Sequence, residues 1–108
     1  MPKAIEREEL KQKLERDEDF ELIEVLEEED YQESHIKGAI NIPLKEIGRK
    51  AKQRFDPDQE IVVYCSNADC QASPKAARKL EDLGFTEVYD YEEGKADWKA
   101  AGYPTEGG

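Results

Sequence analysis

The chain's two cysteines stand in one short stretch, Ile61-Val62-Val63-Tyr64-Cys65-Ser66-Asn67-Ala68-Asp69-Cys70-Gln71-Ala72-Ser73. The four residues before Cys65 are apolar or aromatic and rich in β-branching, which suits a buried strand. Small and polar residues follow, and Pro74-Lys75-Ala76-Ala77-Arg78-Lys79-Leu80 then reads as a helix. Cys65 thus falls where a central strand ends and a loop feeds a helix N-terminus, the usual place of a reactive group in an open α/β sheet. Loop amides and the positive end of the helix dipole hold negative charge there. A thiol so placed has a lowered pKa and is the better nucleophile. The same segment also admits a plain structural cysteine, a small hydrophobe closing the strand.

His35, the only histidine, is the one side chain that titrates unaided near neutral pH. Its place before a turn favours a structural hydrogen-bonding role.

The surrounding elements must present Cys65. Lys3-Ala4-Ile5 reads as an edge strand, and Glu6 to Arg16, with Leu10 and Leu14 four apart among charges, as an amphipathic surface helix. Phe20 to Val25 reads as a strand, and the acidic run Glu27 to Glu33 as a solvated loop with a short helix. Ala39 to Pro43 is a short strand, and Leu44 to Phe55 is a helix carrying Arg49, Lys50, Lys52 and Arg54, a positive patch suited to an acidic partner. Ser73 to Leu83 is a helix that Gly84 ends. Glu87 to Tyr89 is a strand, and Ala96 to Ala101 a helix around Trp98, a core anchor. Strands alternating with helices imply a parallel sheet covered on both faces. The reading is one domain over 1–104 with a frayed tail at 105–108.

Bulk properties exclude several classes. A formal charge of −11 leaves no basic stripe for nucleic acid and disfavours anionic membrane surfaces. No apolar run reaches the length of a membrane span, and no signal peptide core is present. Two cysteines in one loop are no disulfide framework, so a reducing cytoplasm is the expected setting. Monomer is the default in the absence of spare apolar surface.

Three stretches resemble one family. Ser34-His35-Ile36-Lys37-Gly38-Ala39-Ile40-Asn41-Ile42-Pro43 is similar to the His-Ile-x-Gly-Ala-x-Asn-Ile-Pro signature of rhodanese-like domains. Ile61 to Cys65, a short loop, and Lys75 to Phe85 resemble that family's active-site strand, loop and helix. Glu93-Gly94-Lys95-Ala96-Asp97-Trp98-Lys99-Ala100-Ala101-Gly102-Tyr103-Pro104 looks like its Gly-Gly-x-x-x-Trp-x-x-Ala-Gly-x-Pro terminus. The resemblance implies an α/β rhodanese-like fold, a central five-stranded parallel sheet flanked by helices on both faces, with Cys65 as nucleophile. It also implies sulfurtransferase chemistry: the thiolate takes a sulfane sulfur from a small donor (thiosulfate, polysulfide or persulfide) and passes it to a thiol, cyanide or protein acceptor, without metal or cofactor.

The departures are specific. Where the family's loop reads Cys-Arg-x-Gly-x-Arg-Ser, this chain has Ser66, Asn67, Ala68, Asp69, Cys70 and Gln71, with no cation and one acid. Charge-assisted hydrogen bonds that would hold dianionic thiosulfate are therefore missing. Leu22-Ile23-Glu24-Val25-Leu26 stands where the family has Asp-Val-Arg, a pair expected to be structural. Cys70 reads either as a resolving thiol for Cys65 or as a loop-filling residue, decided by whether the Cα atoms approach within roughly 7 Å. The competing functions are a thiol redox protein cycling a Cys65–Cys70 disulfide and a non-catalytic interaction module. A phosphatase ranks last, because Gln71 stands where it needs an arginine.

Overall fold

The strand that runs into Cys65 forms the middle of the sheet in the computed structural model, which describes residues 2–107. In chain order the elements are β1 (Lys3–Ala4), α1 (Arg7–Glu15), β2 (Glu21–Glu24), α2 (Glu28–Glu33), β3 (His35–Ile36) and β4 (Ile40–Asn41). A 3-10 turn (Leu44–Glu46) then leads to α3 (Ile47–Arg54), β5 (Glu60–Tyr64), α4 (Ala72–Asp82), β6 (Glu87–Tyr91), α5 (Gly94–Ala100) and β7 (Thr105–Glu106).

The main sheet has five strands in the order β1-β6-β5-β2-β4, and every pairing is parallel. Strand alternation sorts the core onto two faces. From β5, Ile61, Val63 and Cys65 join Ile23, Val25, Ile47, Ala77 and Leu80 on the face covered by α3 and α4. Val62 and Tyr64 point the other way, into Leu10, Leu22, Ile36, Tyr91 and Trp98, beneath α1 and α5. Trp98 is 1% exposed, the core anchor expected of it. Gly84 ends α4 at a positive φ of 99°, a conformation that only glycine adopts readily.

Three segments differ from the sequence reading. Thr105–Glu106, read as tail, pairs antiparallel with β3, because Trp98 Nε1 and the Lys37 amide both donate to the Pro104 carbonyl and bring the chain alongside. Residue 108 lies outside the described residues. β3 itself was hidden by the turn signal around Gly38. β6 runs on to Tyr91, an extension masked by the acid Asp90 at an inward-facing position.

The Asp-Val-Arg departure is resolved by a substitute cation. Glu24 is fully buried at the end of β2, and Lys95 Nζ stands 3.1 Å from its Oε2. The Tyr64 hydroxyl donates to Oε1 at 2.9 Å and accepts from the Ile36 amide at 3.1 Å. Lys95 also donates to the carbonyls of Asp30 and Ser34, at 3.1 and 2.6 Å. Burial pushes the Glu24 carboxyl above the ordinary glutamate range, and the Tyr64 and Lys95 contacts pull it back. A buried charge deprived of its partner costs about 3–5 kcal/mol. Lys95→Met is therefore expected to lower unfolding free energy by about that amount in urea melts. Adding Glu24→Gln to the same protein should recover part of the loss.

Candidate active site

Cys65 occupies the first position after β5 and is 1% exposed. β2 leads to α2 on one face of the sheet and β5 to α4 on the other, so the carboxyl ends of these neighbouring strands diverge. A crevice opens at such a point in an open α/β sheet. An apolar groove of about 370 Å³ lies there, walled by Val25, Leu26, Leu44 and Ala72 and rimmed by Glu27, Asp30 and Lys45. A second cleft of about 260 Å³ includes Ser66, Lys95 and Lys99. A cleft of about 400 Å³ runs between Leu14, Gly38, Trp98 and Pro104, and neither it nor the apolar groove is lined by Cys65 or its loop.

The loop doubles back on itself. Asn67 Oδ1 accepts from the Asp69 amide at 3.0 Å, and the Asn67 carbonyl accepts from the Cys70 amide at 3.1 Å. These bonds fold Ser66 to Gln71 into a tight turn and use two of the loop amides expected to face a developing charge. The turn returns Cys70 to Cys65, with Cα atoms 6.3 Å apart and the two sulfurs joined in a disulfide. The resolving-thiol geometry is thus met. Cys70 is half-buried against the core cluster that contains Cys65, whereas Asn67, Ala68, Asp69 and Gln71 are exposed.

Helix α5 holds the loop from the other side. The Lys95 amide donates to the Cys65 carbonyl and the Ala96 amide to the Ser66 carbonyl, both at 2.8 Å. Gly94 makes this approach possible. It has φ of +73°, and a Cβ there would stand 2.7 Å from the Cys65 oxygen and 2.8 Å from the Asn67 nitrogen.

Two residues beyond the sequence reading complete the site. The Ser73 hydroxyl, in the first turn of α4, lies 3.5 Å from Cys65 Sγ and also acts on the Asp90 carboxyl, holding its pKa down. Asp90 is 4% exposed, and burial raises its pKa to about 6, with Glu92 adding to the rise and Ser73 opposing it. Their signal was an acid at an inward position of β6, legible only once the strand's full length is known. His35 keeps its structural role: Nδ1 donates to the Tyr31 carbonyl at 2.9 Å and the ring stacks on Tyr31. Glu46, at the end of the 3-10 turn, draws in Lys50 and Arg49 of α3 at 3.0 and 3.4 Å, so part of the positive patch is neutralised within the chain.

The chain is similar to known proteins over nearly its whole described length. The chain matches the rhodanese-like domain family over residues 6–101. It is 39% identical over 105 residues to an HTH-type transcriptional regulator of Mycobacterium tuberculosis, covering 97% of this chain and 45% of that protein. It is 42% identical over 67 residues to the thiosulfate sulfurtransferase PspE of Escherichia coli, covering 61% of this chain and 62% of that protein. Each match leaves more than a third of the relative's length uncovered. The solution structure of the rhodanese-like domain of Anabaena protein Alr3790 superposes with a TM-score of 0.89 at 30% identity, covering 99% of this chain and 80% of that one.

Two outcomes follow from the packing. Gly94→Ala should displace the Cys65 loop and lower both thermal stability and Cys65 reactivity, read by melting and by thiol labelling. Asp90 binds its proton more tightly folded than unfolded, so its contribution is fully present below about pH 4 and is lost as pH rises through about 6. Above that, the buried charge costs about 3 kcal/mol. Asp90→Asn is expected to stabilise the protein by about 1–3 kcal/mol at neutral pH, with the advantage vanishing near pH 4 in urea melts.

Proposed function

The chain belongs to the rhodanese-like domain family, and we propose that it is a sulfurtransferase carrying sulfane sulfur as a persulfide on Cys65. The observation that carries this reading is the seat of the Cys65 sulfur, at the carboxyl end of the central strand and 3.5 Å from Ser73 in the first turn of α4. The similarity to a thiosulfate sulfurtransferase supports the same activity.

In the first half-reaction the Cys65 thiolate attacks the donor's sulfane sulfur. A sulfur–sulfur bond forms on Cys65 as the donor's own breaks, and the remainder of the donor leaves with the electron pair. In the second, a thiolate, cyanide or protein nucleophile attacks the outer sulfur, and the Cys65 thiolate is released. The helix N-terminus and the loop amides that remain stabilise the anionic persulfide.

The groove sets the expected donor. The loop from Ser66 to Gln71 has no cation and Asp69 is its one charge, while Glu27, Asp30 and Lys45 rim the crevice. A dianion meets apolar walls and a rim of two carboxylates against one lysine there, so polysulfides or organic persulfides are preferred over thiosulfate.

The Cys65–Cys70 disulfide favours a second fate for the loaded sulfur. The Cys70 thiolate attacks Cys65 Sγ, the disulfide forms, and the outer sulfur departs as hydrosulfide. A dithiol reductant then reopens the pair.

Intact mass of the reduced protein after incubation with polysulfide, and separately with thiosulfate, tests the reading. The expected result is a gain of one sulfur from polysulfide, little from thiosulfate, and none in Cys65→Ser. Loss of two hydrogens with no sulfur gained would replace sulfur transfer by thiol redox cycling. No change under either condition would leave an interaction module. Cys70→Ser should retain the added sulfur longer than the parent protein.

A further inference from the structure

Ser73 has one hydroxyl proton and two acceptors for it. Its Oγ lies 3.5 Å from Cys65 Sγ, and on its other side the Ser73 hydroxyl acts on the Asp90 carboxyl and draws that group's pKa down. Ser73 is 1% exposed and Asp90 4%, so bulk water does not substitute for either contact. Asp90 Oδ1 meets no donor among the described residues, which leaves Ser73 as the hydroxyl through which this carboxyl is tied to its surroundings. A buried carboxyl so thinly satisfied is costly, and nothing in the packing of β6 requires it.

We propose that Asp90 is a positioning residue for Cys65, deciding through Ser73 whether the cysteine sulfur receives a hydrogen bond. When the carboxyl is ionised, the Ser73 hydroxyl donates to it and turns only lone pairs toward the sulfur. That arrangement accepts from a thiol S–H and disfavours thiolate. When the carboxyl is protonated, its own O–H donates to Ser73 Oγ, and the serine proton is free to point at Sγ. That arrangement holds a thiolate or a persulfide.

The groups facing Asp90 leave this link uncomplicated. In the sheet its neighbours are Ala4 on β1 and Val63 on β5, and α4 presents Ser73. None of these carries a charge; Glu92, beyond the end of β6, is the nearby charge that acts on it, and Cys65, once its disulfide with Cys70 is reduced, is the titrating group at the far side of Ser73. With its pKa near 6, Asp90 changes state within the range where sulfur chemistry runs. The inference rests on Cys65 being the sulfur nucleophile, yet its test reads the thiol directly and needs no turnover.

In a Cys70→Ser protein Cys65 is the sole thiol, and thiolate ultraviolet absorbance against pH gives its pKa. Asp90→Asn places an amide donor toward Ser73 Oγ and frees the serine proton for sulfur. The expected result is a Cys65 pKa lower by about one unit, tenfold more thiolate at a given pH. In the Ser73→Ala background the same substitution should leave the Cys65 pKa nearly unmoved. An equal lowering with Ser73 absent would mean that the carboxylate acts by through-space charge, and overturns the proposal. So does a Cys65 pKa unchanged in Asp90→Asn. Should Asp90→Asn not fold, Ser73→Ala alone must raise the Asp90 pKa in carboxyl-carbon NMR, since the hydroxyl opposes its burial. An unmoved Asp90 overturns the proposal equally. Failure of sulfur loading in the mass experiment would instead remove the sulfurtransferase reading while leaving this titration interpretable.

Discussion

A carboxylate with no access to water must be answered by charge and hydrogen bonds, and in this protein Lys95 answers Glu24. The side chain of Lys95 reaches back to β2 and fastens α2 and the residue that follows it through the carbonyls of Asp30 and Ser34. Its backbone amide meanwhile holds the Cys65 carbonyl. One residue therefore couples the polar centre beneath α5 to the loop on which the chemistry depends. The arrangement explains why the site tolerates a loop without cations. Its shape comes from main-chain bonds at the start of α5 and inside the Asn67 turn, not from side-chain charge within the loop.

The two faces of β5 divide the labour. Tyr64 points to the Glu24 side and contributes to the ion-pair cluster, while Cys65, one residue on, points to the α4 side and meets Ser73. Alternation along a strand keeps the two buried polar systems apart although they are adjacent in sequence. Glu24 gathers a lysine and a tyrosine on its two carboxyl oxygens, whereas Asp90 is left with the single serine.

Much of this was legible from residue types. The apolar run ahead of Cys65, the proline-started helix after it and Gly84 at that helix's end gave the strand–loop–helix directly, since each is governed by local conformation. The resemblance at Ser34 to Pro43 and at Glu93 to Pro104 supplied the topology. What escaped notice involved partners distant in the chain. Lys95 reads as one more surface lysine until Glu24 is known to lie across from it. Asp90 reads as a strand terminator until β1 is seen to pair beside it. Thr105–Glu106 reads as tail because a two-residue strand carries no periodic signal, and only its antiparallel partner at His35–Ile36 defines it.

The parallel sheet also separates two timescales of assembly. β1 pairs with β6, so Lys3 finds Tyr89 only after nearly the whole chain has been made, and contacts of such long sequence separation form slowly. Cys65 and Cys70, by contrast, are separated by a short loop whose ends meet readily in an unfolded chain. Whether the thiols are reduced or paired is consequently open to decision before the sheet closes over them. A newly synthesised chain can enter its folded state with the nucleophile already locked, and the redox condition met during folding becomes part of how much working protein is produced.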